Sequence, residues 1–257
     1  MQHFGAQVRL TRKKNTIMKH FKTIALALFA SILVSSCVVV PGKLSQHKTE
    51  VEELNTKTSM KKFTGVNVAG SMKVMLSQGD SSSVTIKGDN KEALDKLVIY
   101  VKNDNLNIEV KKKFMGFEGS NNFDDITIHV TAPTIKSIEL AGSGSITTQT
   151  PISTSNVDVQ MAGSGTINIA KVLSCTMLEV EMAGSGNVLF SQVSANVVNT
   201  SVAGSGDVAF NNMDVVNVNS SIAGSGNIIL KGKAAKHTQN VAGSGNVDDS
   251  GLTMMNQ

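Results

Sequence analysis

The sequence predicts an all-β fold: a right-handed parallel β-helix, or β-solenoid, with coils of about 20 residues. The four letters AGSG occur six times, with alanines at positions 141, 162, 183, 203, 223 and 242. Apolar residues stand three and one positions before this alanine, and five and seven positions after it, which is strand alternation rather than helical spacing. A unit of this size cannot bury its own apolar face, so the units must stack and share one core.

The glycines of the repeat are predicted to form the corner between two strands. Positive φ and close approach of neighbouring coils both favour glycine at such a corner. The serines between them are predicted to form a ladder along one edge of the solenoid. The predicted corner glycines are Gly142, Gly144, Gly163, Gly165, Gly184, Gly186, Gly204, Gly206, Gly224, Gly226, Gly243 and Gly245.

The same glycines do not predict a ligand. A nucleotide-binding loop needs a following Lys-Ser/Thr pair and a helix, and neither pattern follows AGSG. The calcium nonapeptide repeat has about half this period, and only Asp207 supplies a carboxylate at the matching position. We therefore expect no cofactor and no metal site.

The repeat columns become polar at both ends, as a solenoid needs in order to shield its exposed edges. Lys136 and Thr148 replace apolar residues in the first AGSG copy, while His237, Gln239 and Asp249 do so in the last. The first and the last AGSG copies are thus predicted to lie at the two ends of the regular stack.

The chain before the first AGSG copy continues the pattern less regularly. "GVNVAGSMKVML" around Ala69 is a degenerate seventh copy, and further alternating runs follow it. "NKEALDKL" (90–97) has the composition of a short helix. The predicted domain therefore covers 63–250, with a tail at 251–257. The segment 112–125, with three phenylalanines, is predicted to be a protruding loop.

The N-terminal segment has the features of a lipoprotein signal peptide. A basic stretch precedes the apolar run "TIALALFASILV", which ends in "LVSSC". This ending resembles the lipobox of bacterial lipoproteins, in which the cysteine, here Cys37, becomes the lipidated N-terminus. Residues 1–37 are therefore predicted to be the signal, with Met18 able to start a complete signal by itself, and 38–62 a polar tether.

Charge and composition exclude one class of partner. From Val38 onward the chain has 18 Lys, no Arg and 20 Asp+Glu, a net charge of −2. Nucleic-acid binding draws most of its affinity from basic patches, so we expect no nucleic-acid partner. Val38, which follows the lipidated cysteine, favours attachment to the outer membrane. The sequence does not decide whether the protein lies on the periplasmic or the outer side of that membrane.

The sequence does not gather catalytic groups. His47, His129 and His237 are scattered, and Glu179 with Glu181 projects from one strand face outside the core. A polysaccharide-active enzyme would need several acidic side chains on one face, and Asp158, Glu179, Glu181 and Asp207 are the candidates. Cys175 is expected to be a small buried apolar residue.

Two stretches resemble a known family. "FTGVNVAGSMKVMLSQGDSSSVTIKG" and "ITIHVTAPTIKSIELAGSGSI", followed by serial GSG-x-[IV] units behind a lipobox, are similar to the putative autotransporter adhesin head GIN domain family of Bacteroidetes lipoproteins. The resemblance covers about 63–250. It implies a right-handed parallel β-helix, an adhesion role and no catalytic residues.

These observations predict a non-enzymatic outer-membrane lipoprotein that serves adhesion or protein interaction. Its expected partners are the membrane, through the lipid on Cys37, and a protein or glycan of unknown identity. A homo-oligomer is a further possibility. The alternatives are a polysaccharide-active β-helix enzyme and a structural or assembly component of the envelope.

Overall fold

The computed structural model describes residues 56–88, 90–111, 123 and 125–255. The predicted signal with Cys37, the tether up to residue 55 and most of the 112–125 loop lie outside the described residues. The described chain contains sixteen strands and one short helix, and all strands belong to one sheet. Within these described ranges, no helix has the length and apolar character needed to cross a membrane.

The all-β prediction is confirmed, and the solenoid has about six turns with coils about 20 residues apart. The regular half consists of β8 (Ser137–Gly142), β9 (Ser145–Thr148), β10 (Ile152–Ser153), β11 (Asn156–Gly163), β12 (Thr166–Gly184), β13 (Asn187–Gly204), β14 (Asp207–Gly224), β15 (Asn227–Gly243) and β16 (Asn246–Met254). Each of β12 to β15 passes through most of a coil and pairs in parallel with the next strand.

The AGSG copies stack in register. Ala162, Ala183, Ala203, Ala223 and Ala242 lie directly opposite one another on successive strands. This alignment places every position before and after the alanine above its equivalent in the previous coil. The predicted columns are therefore the physical columns of the core.

The less regular half begins with β1 (Thr56–Ser59), β2 (Gly65–Ala69), β3 (Lys73–Gln78) and β4 (Ser83–Lys87). It continues with α1 (Lys91–Lys96), β5 (Leu97–Lys102), β6 (Asn105–Val110) and β7 (Thr127–Ala132). Strand β2 pairs in parallel with β8 and places Ala69 opposite Ala141, so the degenerate seventh copy forms a coil of the same stack.

The predicted helical turn is α1, which begins after Asn90. The Asn90 side chain accepts a hydrogen bond from the Ala93 backbone N–H at 3.1 Å, which satisfies a donor of the first turn. The antiparallel pair β5–β6, which follows α1, and the antiparallel strands β4 and β1, which precede it, close this end of the stack. Parallel coils would leave a longer open edge here.

The sheet extends beyond the predicted domain bounds of 63 and 250 on both sides. Residues 56–59, assigned to the tether, form β1 and pair with β4. Residues 251–254, assigned to the tail, continue β16 and pair with the segment from Lys231 to Ala234. In both places a short segment gains backbone hydrogen bonds by joining an open sheet edge, which requires no strong apolar alternation.

The core is a set of apolar columns that run along the solenoid. Phe190 and Phe210, from neighbouring coils, stack with ring centroids 4.7 Å apart and planes 9° from parallel. Thr148 belongs to the same column and is buried, and its hydroxyl accepts a hydrogen bond from the Ala170 N–H at 2.9 Å. Thr148 is in register with Leu76 of β3, so the column continues into the less regular half, and the polar end predicted at Thr148 is wrong.

The corner explains why glycine is required. Gly204 has φ +132°, and a Cβ placed on it would lie 2.3 Å from the carbonyl oxygen of Gly184 in the coil below. The same oxygen accepts hydrogen bonds from Ser205 N at 2.9 Å and Gly206 N at 3.0 Å. Backbone N–H groups therefore provide the hydrogen bonds between these successive corners, and a side chain on Gly204 would displace them.

We expect Gly204→Ala to lower the free energy of unfolding by about 3 kcal/mol, because it combines a disfavoured φ with a backbone clash. Urea unfolding followed by circular dichroism measures the change. Ser205→Ala is the matched control in the same corner, because Ser205 is exposed, and should cost less than about 0.5 kcal/mol. Equal effects of the two substitutions would contradict this account of the corner.

Candidate interaction surface

Four carboxylates lie together on the outer face of the strands that lead into the AGSG corner. Strand pairing places Asp158 directly opposite Glu179, and Gln160 directly opposite both Glu139 and Glu181. We call Glu139, Asp158, Glu179 and Glu181 the acidic patch. Neighbouring strands are about 4.8 Å apart, so these side chains are within range of mutual repulsion.

The acidic patch changes the protonation of its own members. Partial burial, with repulsion from Glu179 and then Asp158, raises the pKa of Glu181 to about 7. Burial and the Asp158 charge also raise the pKa of Glu139. Burial and Glu179 raise the pKa of Asp158, against the opposite effect of its hydrogen bond from Gln160. At neutral pH the patch therefore carries less negative charge than its four carboxyls suggest.

The structure brings together three of the four acidic residues singled out from the sequence. Asp207 lies on the other side of the corner, where its Oδ1 accepts hydrogen bonds from the Asn227 backbone N and Nδ2. Glu139 was missed, because it is separated from Glu181 by a coil that carries Gln160 at the same position. Aligning the copies by position, rather than searching for adjacent acids, identifies it.

Beyond the acidic patch, the same face becomes neutral and polar. The outward positions of the next coils carry Asn199, Ser201, Asn219, Ser221, Thr238 and Asn240. Asn219 Nδ2 donates to Asn199 Oδ1 at 2.9 Å, so equivalent side chains of adjacent coils pair along the column. The face therefore offers a regular row of amide and hydroxyl groups.

The C-terminal end of the solenoid is only partly covered. Strand β16 pairs with β15 up to Ala234, while residues 236–243 of β15 pair with β14 alone among the described strands. We call 236–243 the open segment. Val241 is 40% exposed there, whereas Ile222, the same position one coil earlier, is 1% exposed.

The family model described as "Putative auto-transporter adhesin, head GIN domain" matches residues 62–251, which is most of the chain. The chain belongs to this family. The match begins before β2 and ends within β16, so it includes β2 to β15 of the head GIN stack and most of β16, whereas β1 lies outside it.

Solved structures share the head GIN fold at low sequence identity. A "Putative lipid binding protein" from Parabacteroides distasonis is 21% identical, with a TM-score of 0.61, and the match covers 76% of this chain and 96% of that one. A "putative adhesin" from Bacteroides fragilis is 20% identical, also with a TM-score of 0.61, over 77% and 97% of the two chains. Neither description names an enzymatic activity. No curated protein matches the sequence.

The remaining candidate residues that the structure describes lie on three different strands of this head GIN domain, β7, β12 and β15. Burial and, less strongly, the charge of Lys87 lower the pKa of His129, whereas a hydrogen bond with Gln149 raises it. His237 lies in the last coil, where Nδ1 is 3.1 Å from Asp249 Oδ2. Cys175 is buried, as expected, and burial is the largest effect that raises the pKa of its thiol. His47 lies outside the described residues.

We expect the contribution of Glu181 to the stability of the domain to fall as pH rises from about 5 to 8. The pKa of Glu181 is raised in the folded state from 4.5 to about 7, so the folded protein binds more protons than the unfolded chain between these values, and stability decreases there. Glu181→Gln should raise the free energy of unfolding at pH 8 by about 1 kcal/mol, a figure reduced for solvent screening of a half-exposed group, and should have little effect at pH 5.

Urea titrations at the two pH values measure this difference. Asp80→Asn removes the same charge from an exposed position between β3 and β4 and serves as the control. A gain at pH 8 that is equal for both substitutions would assign the effect to net charge rather than to the acidic patch.

Proposed function

We propose that this head GIN protein is a non-enzymatic lipoprotein, attached to the outer membrane through a lipid on Cys37, and that its solenoid serves adhesion or protein interaction. Membership of an adhesin family supports the interaction role. The lipobox-like "LVSSC" sequence supports the anchor. The protein or glycan that it binds is expected to contact the outer face of the solenoid, where columns of polar side chains are accessible.

The single observation that carries the proposal is the direction in which the coils are stacked. The chain enters the described domain at Thr56 in β1, and nine strand-to-strand steps separate β1 from β16. At 4.8 Å per step this distance is about 43 Å. A stack whose first strand follows the tether has its last coil at the opposite end, so the arrangement suits a spacer that presents a surface away from its attachment point.

Cys37→Ala should release the protein from the membrane fraction into the soluble fraction, because the cysteine that accepts the lipid is gone. Fractionation of cells followed by immunoblotting measures this. Cys175→Ala is the matched control: Cys175 is buried in the core, so this change should leave membrane association unaltered. Membrane association that survives Cys37→Ala would refute the anchor.

The membrane and the side it faces are tested separately. Density-gradient separation of inner and outer membranes should place the wild-type protein with the outer membrane. Protease treatment of intact cells then separates surface display from a periplasmic position. Digestion of the domain only after the outer membrane is opened would restrict its role to the periplasm.

One observation favours a second candidate function, a polysaccharide-active enzyme of the β-helix type. The acidic patch places Asp158 and Glu179 opposite each other near Glu181, whose pKa of about 7 suits a general acid. This function predicts cleavage across a panel of acidic and neutral polysaccharides, with a loss of at least about 100-fold in Glu181→Gln. An absence of products from the wild-type protein would remove this candidate.

A further inference from the structure

Among the described residues, no strand completes the coil over the open segment, residues 236–243 of β15. In every earlier coil, the equivalent segment is paired on both sides, as Asn217 to Gly224 is between β13 and β15. The inward column that ends at Val241 includes Met182, Val202 and Ile222, all at most 2% exposed. One additional strand over the open segment would bury Val241 in the same way.

We propose that the open segment binds an extended strand of a partner protein, which adds to the sheet as the next member of the ladder. Main-chain hydrogen bonds would provide affinity, and the alternating side-chain positions would provide selectivity. The proposal rests on the interaction role proposed above and names the chemistry of the partner. It is independent of the lipid anchor.

Strand β16, the edge strand beside the open segment, has features that oppose pairing with a further strand. In β16, Ser250 N and Oγ both donate to Asp248 Oδ1, at 3.1 and 2.6 Å, and the register with β15 shifts at Ile229. Charges and irregular register are usual protections of an edge strand. The stretch from Thr238 to Gly243 has no charge, no proline and no such irregularity.

The shape of this end selects a single strand rather than a second copy of the solenoid. Strand β16 covers β15 only up to Ala234, so the open segment is recessed by one strand spacing, about 4.8 Å. The end of a second solenoid would contact β16 before it reached the open segment. That contact would also bring together the carboxylates of Asp248 and Asp249 from both copies, at a cost from like-charge repulsion.

The side chains define the partner strand further. Gln239 and Val241 occupy inward positions, so the partner needs small or apolar residues above them. The outward positions carry Thr238 and Asn240, which favour uncharged polar neighbours. Lys236 stands at the start of the open segment, in register with Asn217 of β14, so an acidic residue at the corresponding partner position would be favoured.

A labelled peptide of residues 216–224, VNVNSSIAG, is a suitable probe, because this sequence already neighbours the open segment on its paired side. We expect saturable binding of this peptide to the purified chain, measured by fluorescence anisotropy. A peptide with Asn217→Asp should bind more tightly than one with Asn217→Lys, because position 217 would lie beside Lys236. In this ladder the N–H groups of outward residues point to the previous coil, as that of Asp158 does to Lys136. A peptide with Ser221→Pro, which lacks an N–H that would point toward β15, should therefore lose at least about tenfold in affinity.

Two protein variants test the position of the binding site. Val241→Asp places a carboxylate at the inward position and should weaken binding at least about tenfold, because the peptide would bury an unpaired charge. Asn240→Asp adds the same charge at the adjacent outward position and should change binding less than about threefold. Val241 is already 40% exposed, so its substitution should leave the fold intact, which the unfolding midpoint verifies.

The outcomes separate the possibilities. Absent peptide binding, or binding unaffected by Val241→Asp, overturns the proposal. A dimer in light scattering that Val241→Asp dissociates, without peptide binding, would instead assign the open segment to self-association. Because the measurement uses purified protein without membranes, its failure would leave the membrane proposal to its own test.

Discussion

The contact between glycine backbones at successive corners is the constraint on which the rest of the structure depends. A Cβ on Gly184 would lie 2.3 Å from the carbonyl oxygen of Gly163, and a Cβ on Gly224 would lie at the same distance from that of Gly204. The corners can therefore stack only where glycine meets glycine. This requirement fixes the register, and the register in turn aligns the apolar columns on either side of the corner. A shift by one residue would send each inward side chain to the outer face.

This constraint also determines how much of the structure could be predicted from the sequence. The positions five and seven after the repeat alanine, such as Val208 and Phe210, are buried as predicted. Stacking requires the same residue type at the same position of each coil, so these positions are visible in the sequence. Ala69 was found in the same way, although its copy is degenerate. The strands at 56–59 and 251–254 could not be found, because a strand at an edge has one neighbour and no equivalent coil to compare with. Their formation depends on an unpaired backbone edge, which becomes visible only after the sheet is built.

The outer face was harder to predict for a related reason. Stacking restricts the inward residues but places little restriction on the outward ones, so a functional group need not recur from coil to coil. Glu139 and Glu181 are 42 residues apart in the sequence, yet both are in register with Gln160. Their proximity follows from register alone. The raised pKa of Glu181 depends further on partial burial among neighbouring side chains, which the alternation pattern does not report.

The two ends of the solenoid are closed by different means, and this difference bears on function. At the first end, antiparallel strands cover the coils. Toward the other end, one inward column changes gradually, through Val180, Thr200, Ser220 and Gln239. The hydroxyls of Thr200 and Ser220 are buried without a hydrogen-bond partner in the described part of the chain, which reduces the stabilisation gained from burying them. This column therefore contributes less stabilisation in the last coils than in the first, and a strand that covers Gln239 and Val241 would add apolar burial at that end.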